Sequence, residues 1–229
     1  MIILQLVEDE LKSPRRRLSK KIKEPVLKYS RFGIVVNNKP HFIISVTKDT
    51  LEQDEFQQLL NKYKGLVVAP VELEKCDLVN GVLFDVNPYL KKAIFENLRL
   101  NLMNEKLQNS ALLIRDINFT LKDEIPRLLP YIKNIVVSTI DDSKSKYWIE
   151  NCFFEYGVRP RVVVNDNIDF LNFDIVADFE KIKDNTLEVT VFDEVRTIYP
   201  NVRFSRVPDE LKVLENFNIS NFVICSAFS

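Results

Sequence analysis

Nine polar residues stand where apolar segments of strand character give way to turns: Asp85, Asp116, Ser138, Thr139, Asp141, Asp142, Asn165, Asp166 and Asp178. Ligands of open α/β sheets bind beyond the carboxyl ends of the strands, so these are the side chains a ligand would meet. A carboxylate cluster there would suit a hard cation such as Mg²⁺ and, through it, phosphoryl chemistry. The same residue types cap helices and close turns, and each of the nine precedes a turn. A structural role is therefore the simpler reading, and no metal site is assigned.

Other reactive residues are sparse. The single histidine, His41, follows Pro40 at the start of an expected strand, with no nucleophile or orienting acid marked beside it. It reads as a partly exposed strand residue. Cys76, Cys152 and Cys225 are odd in number and more than 70 residues apart, which provides neither a disulfide framework nor a metal knuckle. Cys152 shares a helical face with Trp148 and Tyr156 and reads as a small buried hydrophobe rather than a thiolate. Trp148 and Tyr147 could stack on a ligand ring, but both read as core.

The elements that would position these residues fall into two stretches. A β-hairpin is expected over Val26 to Val46 about the turn Asn37-Asn38-Lys39-Pro40. A helix follows, opened by a Thr50/Gln53 capping box, carrying Leu51, Phe56, Leu59, Leu60 and Tyr63, and stopped at Gly65. Short strands are expected at Leu66 to Ala69 and at Val82 to Asp85. Asn87-Pro88 then starts a helix to about Glu105, with Leu90, Ile94, Leu98 and Leu102 on one face.

From Ala111 apolar strands alternate with helices: Ala111 to Ile114, a helix near Asp123 to Tyr131, Ile135 to Val137, a helix near Ser143 to Tyr156, Val162 to Val164, and Asp174 to Phe179. Continuously apolar strands of this kind belong to a parallel sheet buried on both faces. Beyond Glu180 the pattern loosens to a strand over Leu187 to Phe192, a short helix from Pro208 with Leu211, Leu214 and Phe217, and a last strand at Phe222 to Cys225. The fold class is α/β: a Rossmann-like, mostly parallel sheet with helices on both faces, preceded by a β-hairpin and further α/β structure. Residues 1–105 and 106–229 form the two expected domains.

Residues 110–180 resemble, by layout, a Rossmann-type domain of the dehydrogenase superfamily. The resemblance implies that the end of the second strand meets an adenosine ribose. Ser138 and Thr139 match that position, with Lys144 and Lys146 just after, and such residues suit a 2′-phosphate. Asp116 and Asn165 complete the cofactor-facing set. The first strand-to-helix turn, Arg115-Asp116-Ile117-Asn118-Phe119-Thr120, contains no glycine, whereas the family's glycines let the backbone approach the pyrophosphate. A carboxylate and bulky Phe119 stand there instead. Only Gly33, Gly65, Gly81 and Gly157 occur in the chain, so Walker A and kinase glycine loops are absent as well. The cofactor site reads as degenerate, and no cofactor is assigned.

Net charge is −1, but residues 12–28 hold eight cations and one acid, which is +7 and leaves −8 for the rest. Aromatics are not interleaved with these cations as base-stacking surfaces require, so nucleic-acid binding is disfavoured. No apolar run approaches the ~20 residues of a membrane span, and the first ten residues lack a signal-peptide pattern. The expectation is a cytoplasmic protein that acts by binding a protein partner or by self-association, without catalysis. The alternative is a nucleotide-dependent enzyme, an NADP-type oxidoreductase or a transferase, with a non-standard phosphate loop.

Overall fold

The computed structural model describes residues 1–7, 29–36, 38–74, 76–140, 143, 145–164, 172–201, 211 and 222. The chain divides into two compact units, residues 1–86 with 203–229, and residues 87–202.

In the first unit the apolar run Ile2-Ile3-Leu4 is buried on both faces, as a central strand must be. It forms β1 (Ile2–Leu6), which lies between β3 (Lys39–Val46) and β4 (Val67–Val68), parallel to both. The hairpin partner β2 (Tyr29–Val36) pairs antiparallel with β3 and ends the order β2-β3-β1-β4. The hairpin turn is tighter than expected, because Lys39 and Pro40 belong to β3 and Asn38 takes a left-handed φ of 63°.

One sheet face packs Ile2, Leu4, Ile44 and Val46 on Leu51, Phe56 and Leu60. The other packs Ile3, Ile34, Val36, Ile43 and Val68 on Leu211 and Phe222. Leu211 and Phe222 are both helical, which replaces the strand expected to begin at Phe222. The remainder of the helix from Pro208 and of the strand to Cys225 lies outside the described residues.

The helix expected from Thr50 is two pieces, α1 (Lys48–Leu51) and α2 (Asp54–Asn61). The cap is Thr47, whose hydroxyl accepts the Thr50 N–H at 3.3 Å, rather than Thr50, which is itself buried. Gly65, with φ 77°, stands just beyond. Two one-turn helices follow, α3 (Val71–Glu74) and α4 (Asp77–Asn80). The strand expected at Val82 to Asp85 is reduced to a single bridge between Val67 and Leu83, since β4 offers only two residues to pair with.

The second unit opens with α5 (Asn87–Leu102), which buries Leu90, Ile94, Leu98 and Leu102 as their fourfold spacing requires. Its sheet comprises β5 (Ala111–Arg115), β6 (Asn134–Thr139), β7 (Arg161–Val164), β8 (Ile175–Asp178), β9 (Leu187–Val191) and β10 (Glu194–Ile198). The order is β10-β9-β8-β5-β6-β7. Strands β5 to β8 are parallel, and β9 and β10 return antiparallel. Leu112, Leu113 and Ile114 are successive and fully buried, so both faces of β5 are covered. With β7, β6, β5 and β8 in the order 3-2-1-4, this is a Rossmann-like α/β sheet.

Helix α6 (Ser145–Tyr156) joins β6 to β7 and stops at Gly157, where φ is 68°. The helix expected near Asp123 to Tyr131 is instead one 3-10 turn, Ile125–Leu128. Pro126 occupies its start and Pro130 has no N–H to continue it. The first crossover of the sheet therefore lacks a full α-helix.

Candidate functional site

Strands β6 and β7 lie on one side of β5, and β8 to β10 on the other. The topological switch point, where α/β sheets bind ligands, is thus the gap beyond the carboxyl ends of β5 and β8. Arg115 ends β5 directly beside Asp178, the last residue of β8.

The loop after β5 folds around its own carboxylate. Asp116 is fully buried. Its Oδ2 accepts the Leu121 N–H at 2.7 Å, and its Oδ1 accepts the Thr120 hydroxyl at 2.8 Å and the Lys91 Nζ at 3.0 Å. Lys91 comes from the first turns of α5 and also donates to Glu180 Oε1 at 2.6 Å. The same Glu180 oxygen accepts the Ile117 N–H at 3.0 Å, so two of the loop's backbone donors end on carboxylates of the protein.

A second ionic group adjoins the first. Asp178 pairs with Arg115 at 3.3 Å and with Lys181 at 3.6 Å, and accepts the Glu180 N–H at the start of the 3-10 turn Phe179–Lys181. Three cations, Lys91, Arg115 and Lys181, thus meet three anions, Asp116, Asp178 and Glu180, and the site is formally neutral.

Burial works against the Lys91 ammonium, but hydrogen bonds to Glu180 and the charge of Asp116 outweigh it and hold its pKa above the usual lysine value. Lys91 is consequently a charged structural cation and not a free amine suited to nucleophilic work.

The expected site residues fall into two groups. Asp116, Ser138 and Thr139 come together and all are buried. Thr139 donates its hydroxyl to the Ile117 carbonyl at 2.7 Å, and the Asp116 N–H reaches the Ser138 carbonyl at 3.0 Å. Lys144 and Asn165, together with Asp141, Asp142 and Asp166, lie outside the described residues. Lys146 is exposed, and Asp85 belongs to the first unit.

Phe119, with a left-handed φ of 53°, turns inward and meets Trp148 edge to face at 5.1 Å. Trp148 and Cys152 are buried, and the Cys152 thiol is pushed up to about 11, chiefly by burial. Tyr147 is 76% exposed and Tyr156 is exposed, which corrects the core reading of Tyr147.

His41 is likewise not partly exposed. It is buried at 1% relative exposure against Phe222, because β2 and β3 are both longer than the apolar segments that mark them and carry His41 over the first unit's core.

Sequence reasoning missed Lys91 and Glu180. Lys91 interrupts the apolar stripe Ile94, Phe95, Leu98 and Leu102 of α5, and a charge inside such a stripe is the signal that could have found it. Glu180 carries no comparable signal, since its role depends on the turn after β8.

Among the described residues no group of three or more His, Cys, Asp or Glu side chains is arranged to hold a metal ion, and no helix is long and apolar enough to cross a membrane. A groove of about 560 Å³ on the wing formed by β8, β9 and β10 shares Asp178 and Lys181 with the site.

No family model matches the chain, and no curated protein matches it. Among solved structures, L-tryptophan dehydrogenase from Nostoc punctiforme is similar at 16% identity with a TM-score of 0.32, over 61% of this chain and 43% of that one. The chain therefore spans less than half the length of that enzyme, and the Rossmann-like description rests on strand order and not on this likeness.

Proposed function

We propose that this chain is a non-catalytic binding or assembly protein whose second unit keeps the layout of a nucleotide-binding sheet with the anion site closed by the protein's own carboxylates. One observation carries the reading: the Ile117 and Leu121 N–H groups of the loop after β5 are taken by Glu180 and Asp116, with Lys91 bound between the two acids. A dinucleotide pyrophosphate needs open N–H groups, close backbone approach and the positive end of a helix. Here the Ile117, Phe119 and Leu121 donors are engaged, the turn has no glycine, and a single 3-10 turn follows. An incoming phosphate would displace carboxylates from their partners, at about 1–3 kcal/mol for each buried group left unpaired, and would meet like charge.

A thermal-shift series with NAD(H), NADP(H), ATP, GTP, S-adenosylmethionine and Mg²⁺ tests this. No change in melting temperature at millimolar ligand is the expected result. A ligand present at one hundred times its Kd would add about 2.7 kcal/mol, so a saturable rise of several degrees with any one of them overturns the reading. It would restore the alternative of a nucleotide-dependent enzyme acting through Asp116, Ser138, Thr139, Lys144 and Asn165. Under that alternative Ser138→Ala and Lys144→Ala abolish the shift.

A further inference from the structure

Among the described residues β2 is an outermost strand of the first unit's sheet, and its backbone orientation follows from the hydrogen bonds of its neighbour. In β3, the Phe42 N–H bonds the Met1 carbonyl and the Val46 carbonyl accepts the Val7 N–H, both at 3.0 Å. Phe42 and Val46 therefore turn their polar backbone groups toward β1. Residues facing each other in an antiparallel pair exchange both hydrogen bonds or neither. The β2 partners of Val46, Ile44, Phe42 and Pro40 are Tyr29, Arg31, Gly33 and Val35, and these point their N–H and C=O groups away from the sheet. Pro40 agrees with this, since it has no N–H to offer Val35.

Natural edge strands are shortened, bulged, or studded with proline and lysine. Strand β2 has eight residues in unbroken register, no proline, and one charge. Val35 is 70% and Phe32 56% exposed.

That one charge is specifically placed. The Arg31 guanidinium lies over the Phe42 ring, 3.6 Å from its centroid. Arg31 makes no ion pair among the described residues. A guanidinium attracted to a ring face by its charge can still donate its N–H groups to a carboxylate.

We propose that β2 receives an extended acidic peptide of a partner protein as an added strand, through main-chain bonds to Arg31, Gly33 and Val35 and an ion pair with Arg31. A second copy of this chain is the poorer occupant. Pairing β2 with itself would offer Arg31 no carboxylate, because the strand carries no acid. The inference stands whether or not the second unit binds a nucleotide.

The test is fluorescence anisotropy of the full chain with labelled eight-residue peptides that alternate Glu or Asp with Val, Ile or Phe, beside counterparts carrying Lys. The acidic peptides should bind, more weakly as salt rises, and the lysine peptides should not. Val35→Pro blocks the strand edge without removing a β2–β3 bond and should weaken binding at least tenfold at unchanged melting temperature. Arg31→Glu should do the same and reverse the preference toward lysine, which keeps the test decisive if the proline variant fails to fold. Absence of acidic-peptide binding, equal binding of lysine peptides, or wild-type affinity in Arg31→Glu overturns the proposal. So does sedimentation showing a dimer of the wild-type chain that Arg31→Glu dissociates.

Discussion

Asp116 and Lys91 show how one buried pair can decide what a site does. Asp116 is fully buried, so without Lys91 its charge would have only the Thr120 hydroxyl and Leu121 N–H as partners. Removing one member of a buried pair costs about 3–5 kcal/mol. Lys91→Met should therefore destabilise the second unit by about that amount in urea titrations. Adding Asp116→Asn should recover part of the loss, because the stranded charge goes with it. A Lys91→Met variant as stable as the parent would remove the ionic closure of the site from consideration.

His41 makes the opposite case. Burial first, then the charge of the Met1 amino group, lower its pKa from 6.5, with a smaller opposing contribution from the Val36 carbonyl and a further lowering by Lys39. The unfolded chain takes up a proton near pH 6.5 and the folded chain only at lower pH. Stability is thus complete above that pH and falls below it, by at most about 1.4 kcal/mol per pH unit. Comparing urea midpoints at pH 7.5 and 5.5 for the parent and for His41→Phe should show this component only in the parent.

At the scale of elements, poverty in glycine shapes the turns. Strands β9 and β10 are joined through Phe192 and Asp193, with φ of 48° and 66°, and Asp184 and Asn185 form a similar turn with φ of 48° and 60°. Two-residue hairpins of this hand favour Asn-Gly, and a bulky residue in the left-handed region is strained. Phe192→Asn combined with Asp193→Gly should raise stability by about 0.5–1 kcal/mol, relief of about 1–2 kcal/mol per residue being offset by the freer unfolded chain. A lower urea midpoint would show instead that the Phe192 ring contributes more by packing than its backbone loses.

The same turns explain which elements were legible. Helices α5 and α6 are announced by periodicity and by Asn87-Pro88 and Gly157, and strands β5, β6 and β8 by apolar runs. Strand β10 was hidden because nothing in Phe192-Asp193 marks a hairpin. Pro126 and Pro130 predict a short helix at the first crossover, and the structure shortens it further, to the single 3-10 turn Ile125–Leu128.

At the scale of the whole molecule, two compact units, one of them discontinuous in sequence, each have their own sheet. Leu211 and Phe222 are fully buried in the first unit, and burying such side chains contributes about 1.5–3 kcal/mol each. A chain ending at residue 202 should lose stability in one calorimetric transition and keep the transition that Lys91→Met lowers. Equal melting of the truncated and full chains would contradict the discontinuous first unit.

The sequence by itself determined the α/β class, the parallel strands β5 to β8 and the missing glycine loop, because periodicity and turn chemistry are local properties of residue order. Tertiary structure alone decided that α5 delivers Lys91 to Asp116, that Glu180 reaches back to Ile117, that His41 is buried, and that β2 is an outermost strand among the described residues. Each of these joins segments remote in sequence, as Lys91 and Glu180 are, 89 residues apart. Such contacts depend on strand order and register, which no local pattern encodes.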